Sequence, residues 1–219
     1  MKQPLLRRGE GIALALGGGA ALGWAHIGAL RVLAEEEIPI GAVSGTSIGA
    51  LAALCLAADR LDALQEIASS ATYARMLTYL DLQFNRSAIL GGRRIARELA
   101  LHFGDIRLED LPIPISIVTA DLDTADEVRL IAGPAIPAVR ASMALPGIFS
   151  PVEIDGRILI DGGVVANLPI GALRIIAPDL PIVAIDLMGD YKGHVGDRRG
   201  TGRSALAILR SAYLIMAMQ

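Results

Sequence analysis

A three-layer α/β/α fold, with a mainly parallel central sheet between helices, is the expectation for this chain, and three observations lead to it. Apolar runs of strand length recur along the sequence and are continuous rather than alternating, the pattern of strands buried on both faces. Between them lie segments whose apolar residues repeat at helical spacing. The turns joining the two are short and glycine-rich, so that strand and helix alternate in the manner that builds a layered sheet. With 219 residues, 53% of them apolar, the chain can bury one sizeable core.

Taken in order, residues 1–10 read as a loose polar arm, 11–188 as the main domain, and 189–219 as a mobile loop followed by a C-terminal helix. Ile12–Leu16 is a strand, Gly17–Gly23 a glycine turn, and Trp24–Glu36 a helix with Ile27, Leu30 and Leu33/Ala34 inward. Glu35, Glu36 and Glu37 form its solvated end. Ile38–Val43 is a short buried strand and Ala50–Ala58 a helix. From Asp59 to about Leu80 two helices are expected, with Leu61, Leu64 and Ile67 facing the core. Gly91-Gly92 opens a further helix, Arg93–His102, closed by Gly104. Pro112–Ala120 is a strand whose prolines are tolerable only near its start, and Glu127–Ile131 pairs beside it. Ile136–Met143 is a short helix, Arg157–Ile160 a strand ending at Asp161, Leu168–Ile176 a helix and Ile182–Asp186 a last strand.

Charge and composition exclude several function classes. A net charge of −3 gives no bulk attraction for nucleic acid. The single cysteine, Cys55, cannot form an intrachain disulfide and fits a reducing, cytoplasmic setting; its apolar helix makes it a core thiol. Three widely spaced histidines, His26, His102 and His194, give no zinc pattern, and neither a metal nor a cofactor is expected. Gly11–Leu30 and Ile38–Ala58 are uncharged over about the ~20 residues of a membrane span, but each is cut by turn residues into strand, turn and helix. The basic start (Lys2, Arg7, Arg8) resembles a secretory signal, and Glu10 with the triple glycine argues against one.

The chemistry centres on Gly45-Thr46-Ser47-Ile48-Gly49, a G-x-S-x-G placed between a strand and a helix. A serine on such a turn is lifted above the sheet edge, at a helix N-terminus that favours developing negative charge. A nucleophilic serine needs a proton acceptor and donors for the oxyanion. Gly17-Gly18-Gly19-Ala20-Ala21-Leu22-Gly23 can turn successive N–H groups toward one point. A dinucleotide site would require an acidic residue at the end of the second strand, and none is there. No histidine follows a late strand, where an ordinary triad of this architecture places it. Asp161, after Ile158-Leu159-Ile160 and before Gly162-Gly163, sits at the sheet edge with room around it and is the favoured base. Asp121 is the competitor, in a setting that reads more as a turn.

These three motifs in this order resemble the patatin-like phospholipases, most of all the short bacterial members. The likeness extends through Trp24-Ala25-His26-Ile27-Gly28, Ala138–Gly147 and Asp161-Gly162-Gly163-Val164-Val165-Ala166-Asn167-Leu168-Pro169, and so covers about residues 10–190. The resemblance implies a serine–aspartate dyad without histidine, a glycine-loop oxyanion hole, and hydrolysis of lipid acyl esters without a metal. Carried over by motif position, Ser47 is the nucleophile, Asp161 its partner, and Gly18, Gly19 and Ala20 the oxyanion donors, supported by Gly17, Gly23, Gly45, Gly49, Gly162 and Gly163. Where many members have Arg or Lys before the last glycine of the first motif, this chain has Leu22. Arg140 reads as an internal anchor and Asn167 as a cap to the helix that follows.

The expected substrate is therefore a lipid or other acyl ester. A thioesterase or general carboxylesterase using the same dyad is the first alternative, and a catalytically weak lipid-binding adaptor, for which Leu22 is the hint, is the second. Ser204–Met218 carries Leu206, Leu209, Tyr213 and Met216 at helical spacing, a face to be covered by the domain, by a second subunit in a homodimer, or by peripheral contact with a membrane.

Overall fold

The computed structural model describes residues 7–70, 82–85, 88–90 and 93–189. The loop and helix expected after Gly189, and the second helix expected before Leu80, lie outside the described residues. The elements are β1 (Ile12–Leu16), α1 (Ala25–Glu35), β2 (Ile40–Thr46), α2 (Ile48–Ala57), α3 (Leu61–Ser70), β3 (Leu82–Asn85), β4 (Ala88–Leu90), α4 (Arg93–Phe103), β5 (Ile115–Asp121), β6 (Glu127–Leu130), α5 (Ala135–Ser142), β7 (Val152–Ile154), β8 (Arg157–Asp161), α6 (Ile170–Ile176) and β9 (Ile182–Ile185).

Seven strands form the main sheet, in the order β7-β8-β5-β2-β1-β9 with β6 also on β5. The central ladders β9–β1, β1–β2 and β2–β5 are parallel, while β6, β7 and β8 run antiparallel to their neighbours. The two faces bury different side chains. Leu14 and Leu16 of β1 join the large core beneath α2, with Val43, Leu54, Leu56 and Ile117, whereas Ala13, Ala15 and Ala42 face α6 with Leu173 and Ala177. Large residues on one face and alanines on the other follow from the two-residue period of a strand. A bulge opposite Ile12/Ala13 keeps the alternation of β1 and β2 in step. All ten residues of α2 are buried, which is why the segment is apolar all round. Cys55 is among them, fully inaccessible, and burial pushes its thiol far up from the ordinary cysteine range.

The position of β5 governs how the C-terminal ends of β2 and β8 meet. β6 pairs with Ile117–Ala120; β2 pairs with Ile115–Val118 and β8 with Thr119–Asp121. Because a strand has only two flanks, β2 and β8 must occupy the same one in succession. β2 runs parallel to β5 and β8 antiparallel, so their C-terminal ends meet: Thr46 lies beside Val118 and Asp161 beside Thr119.

Several boundaries differ from the expectation for physical reasons. β2 continues to Thr46 because its hydroxyl residues find buried partners. The helix expected from Leu168 begins at Ile170, since a residue preceding proline avoids the helical region. The β7–β8 hairpin was not expected; Asp155 and Gly156, at φ 51° and 75°, make its two-residue turn. The β3–β4 hairpin was likewise not expected. Residues 7–10, expected as a loose arm, are tied to β2 by Arg7 N–H to the Ile40 carbonyl (3.1 Å) and Gly9 N–H to that of Gly41 (3.4 Å).

Leu54 is fully buried at the centre of the large core. Leu54→Ala is expected to lower stability by about 2–5 kcal/mol, the cost of lost burial plus a residual cavity. Urea denaturation of the two proteins gives the difference directly.

Candidate active site

Ser47 forms the whole connection between β2 and α2, and its backbone is bent accordingly, with φ 57° and ψ −123°. An L-residue there costs about 1–3 kcal/mol and persists only where its surroundings hold it. They do so closely. A side chain on Gly45 would collide with the Gly49 carbonyl, and one on Gly49 with the carbonyls of Leu16 and Gly17. The two glycines of the motif therefore let α2 start directly against β1 and β2. The Ser47 N–H donates to Ser142 Oγ (2.9 Å), and the Ser142 hydroxyl donates to the Val118 carbonyl (2.6 Å), which ties the bend to β5.

The head-on meeting of β2 and β8 places Asp161 against this bend. The Ser47 hydroxyl donates to Asp161 Oδ2 at 2.7 Å, while Asp161 Oδ1 accepts the Gly163 N–H at 2.8 Å. Asp161 is 1% exposed and Ser47 9% exposed. The bond has the direction that a proton acceptor beside a nucleophile requires. Gly162 approaches the Val118 carbonyl, holding the turn after Asp161 against β5.

The chain from Ala166 to Pro169 braces the rest of the site. The Thr46 hydroxyl donates to the Ala166 carbonyl (2.9 Å) and the Ser44 hydroxyl to that of Pro169 (2.8 Å). Asn167 does not cap α6, whose N-terminus has no side-chain cap. Instead its carbonyl accepts the Gly18 N–H (3.0 Å) and its Nδ2 donates to the Gly18 carbonyl (3.4 Å). The physical reason is Pro169, which delays the helix and frees Asn167 to turn toward the glycine loop. Gly18 lies next to Ser47, since a Cβ on it would be 3.3 Å from Ser47 Cβ.

The loop itself divides into engaged and free donors. Gly17 N–H donates to the Ile185 carbonyl (3.1 Å), and the Gly18 N–H is taken by Asn167. Of the three expected oxyanion donors, then, Gly18 has its N–H already committed. No hydrogen bond engages the N–H of Gly19 or Ala20 among the described residues, and Ala20 has φ 48°. Gly23 rests against Ile48, the residue after Ser47, and Leu22 is 46% exposed.

Other titratable residues have partners of their own. Asp121 Oδ1 accepts the N–H groups of Asp123 (3.0 Å) and Thr124 (3.3 Å), and Arg157 lies 3.7 Å from its other oxygen, so this carboxylate closes a turn. His102 lies 3.8 Å from Glu66, and His194 is outside the described residues. His26 is fully buried with Nε2 2.9 Å from the Gly17 carbonyl, and desolvation holds its pKa below the ordinary value, partly opposed by that hydrogen bond. Arg140 is half-buried, and burial lowers its pKa too. No cluster of metal-ligating side chains occurs among the described residues. Sequence reasoning passed over Ser44, Thr46 and Ser142. Their signal is that small hydroxyl residues inside apolar strands and helices must find partners.

Residues 14–174 match a family model described as patatin-like phospholipase. The chain belongs to the patatin-like phospholipase family. It is 38% identical over 186 residues to an uncharacterized NTE family protein of Mycobacterium tuberculosis, covering 85% of this chain and 51% of that one. A mouse patatin-like phospholipase domain-containing protein 7 is 36% identical over 82% of this chain and 14% of its own length. The neuropathy target esterase sws of Drosophila melanogaster is 36% identical over 78% and 13%. The chain thus spans about half the length of the mycobacterial relative and a small part of the animal ones. The matched range, residues 14–174, spans Ser47, Asp161 and Asn167.

Two outcomes test the bracing. Ser142→Ala leaves the buried Ser47 N–H without its acceptor and is expected to cost about 1–3 kcal/mol by chemical denaturation. The lowered pKa of His26 makes the folded state bind less proton than the unfolded chain. Stability is therefore full above the ordinary value of 6.5 and falls as pH drops from there toward the folded pKa. His26→Gln, measured by the same unfolding method from pH 7.5 to 5, is expected to flatten that part of the slope.

Proposed function

We propose that this domain is a serine acyl hydrolase of lipid esters, of phospholipase A or lysophospholipase type, working through Ser47 and Asp161 without histidine or metal. The observation that carries the reading is the 2.7 Å hydrogen bond from the Ser47 hydroxyl to a nearly inaccessible carboxylate, on a strained strand-to-helix bend. Family membership and the esterase and phospholipase names of its relatives support the ester substrate.

In the first half-reaction Ser47 Oγ attacks the acyl carbonyl while its proton passes to Asp161 Oδ2. The tetrahedral oxyanion is received by the free N–H groups of Gly19 and Ala20, aided by the N-terminus of α2 that begins at Ile48. Collapse breaks the ester bond, and the departing alcohol oxygen takes the proton from Asp161. Water then attacks the acyl-serine, giving a proton to Asp161; its return to Ser47 Oγ releases the carboxylic acid. A carboxylate suits this work because one oxygen is fixed by Gly163 N–H and the other faces the hydroxyl. No helix among the described residues is long and apolar enough to cross a membrane. A cytoplasmic location with peripheral contact at a lipid surface belongs to the same reading, on the sequence grounds given above.

The test is turnover of fluorescent phospholipid and lysophospholipid esters, together with covalent capture by a fluorophosphonate. Ser47→Ala and Asp161→Asn are each expected to lower kcat by at least ~10³-fold, and the double variant by scarcely more, because the two residues act as a unit. His102→Ala is expected to leave kcat unchanged. Ester turnover retained in folded Ser47→Ala would refute the assignment.

A further inference from the structure

We infer that His26 is a positioning residue for the glycine loop: its Nε2–H fixes the Gly17–Gly18 peptide, and with it the Gly19 N–H that follows. The inference deepens the hydrolase reading and rests on it for its kinetic arm alone.

Three observations converge on this peptide and the next. Its carbonyl, that of Gly17, lies 2.9 Å from His26 Nε2, and as a carbonyl it can only accept, so Nε2 carries the proton. Its N–H, that of Gly18, donates to the Asn167 carbonyl at 3.0 Å. Both ends of one planar unit are thus held, one by a side chain of α1 and the other by the segment that follows Asp161. A trans peptide held at both ends has no rotation left about its own axis. The next peptide in the chain presents the Gly19 N–H, and its carbonyl is braced by Asn167 Nδ2. The direction of the Gly19 N–H is therefore inherited from a plane that His26 fixes.

The chemistry of the ring supports a dedicated role. With Nε2 protonated, a neutral His26 leaves Nδ1 as a bare acceptor, and this atom is buried with no hydrogen-bond partner among the described residues. An apolar side chain of similar size would avoid that unsatisfied acceptor, so packing alone does not account for histidine here. The Nε2–H is what an apolar residue lacks. The ring is also close to the elbow: the Gly17 carbonyl it holds is one of the atoms a Cβ on Gly49 would strike, at 2.7 Å. His26 thus reaches the junction of the glycine loop and the first turn of α2 through the Gly17 carbonyl.

Two substitutions separate hydrogen bonding from packing. His26→Phe fills the space and has no donor; His26→Gln carries an amide N–H at about the reach of Nε2. In steady-state assays with a fluorescent phospholipid ester, His26→Phe is expected to lower kcat about tenfold or more with KM changed less than about twofold, since oxyanion donors act in the transition state. His26→Gln is expected to recover most of kcat. Hydrogen exchange supplies the readout that needs no turnover: protection of the Gly18 amide should fall about tenfold or more in His26→Phe and return in His26→Gln, with α2 amides unchanged. Unaltered Gly18 protection in folded His26→Phe, or a glutamine variant as impaired as the phenylalanine one, overturns the role. If the wild-type chain hydrolyses no ester and captures no fluorophosphonate while the exchange pattern appears as stated, the hydrolase reading fails and the positioning of the loop stands.

Discussion

Everything at the functional end of this molecule depends on one flank of β5 being shared by two strands that approach from opposite directions. β2 holds that flank up to Val118 and β8 takes it over at Thr119. Ordinary ladder hydrogen bonds thereby bring together two residues 114 positions apart in sequence. The distance between hydroxyl and carboxylate is set by backbone register, at about 3.3 Å per residue, rather than by flexible side chains. A one-residue slip of β8 would turn Asp161 to the other face of the sheet.

The second element of the design is the short chain from Asp161 to Pro169. It supplies the carboxylate, then carbonyls for Thr46 and Ser44, then both groups of Asn167 for Gly18. A strained bend such as that at Ser47 needs surroundings that determine it several times over. Here the constraint comes from β5 through Ser142 on one side and from this segment on the other. The result is a candidate site in which the Ser47–Asp161 pair is held by the fold itself and is nearly inaccessible, beside a glycine loop open to solvent at Ala20. Fixed dipoles in such surroundings stabilise developing charge without having to reorient.

Much of this was legible in the sequence, and what was not has a common cause. The α/β order, the bend at Ser47 and the end of the strand at Asp161 are local features, written in apolar runs and glycine spacing. The preference for Asp161 over Asp121 also had a local basis, because the residues after Asp121 have turn chemistry and the structure shows them making that turn. The roles of Ser142, Asn167 and His26 depend on which distant backbone atom lies opposite, and no periodicity encodes that. Asn167 shows the difference well. Its neighbours suggested a helix cap, whereas Pro169 postponed the helix and the asparagine met the glycine loop instead. The commitment of the Gly18 N–H was invisible for the same reason. The β7–β8 hairpin was missed because its first strand has only three residues, too few to show a period.

The burial of Cys55 has a practical consequence for anyone labelling the molecule. It is the chain's one thiol, it is wholly enclosed by α2 and its neighbours, and its ionisation is suppressed. Maleimides and mild oxidants act on accessible thiolate, so the folded protein should be silent to them. A cysteine introduced on the surface would then be a unique handle for a spectroscopic reporter, with no need to remove the native one and disturb the core.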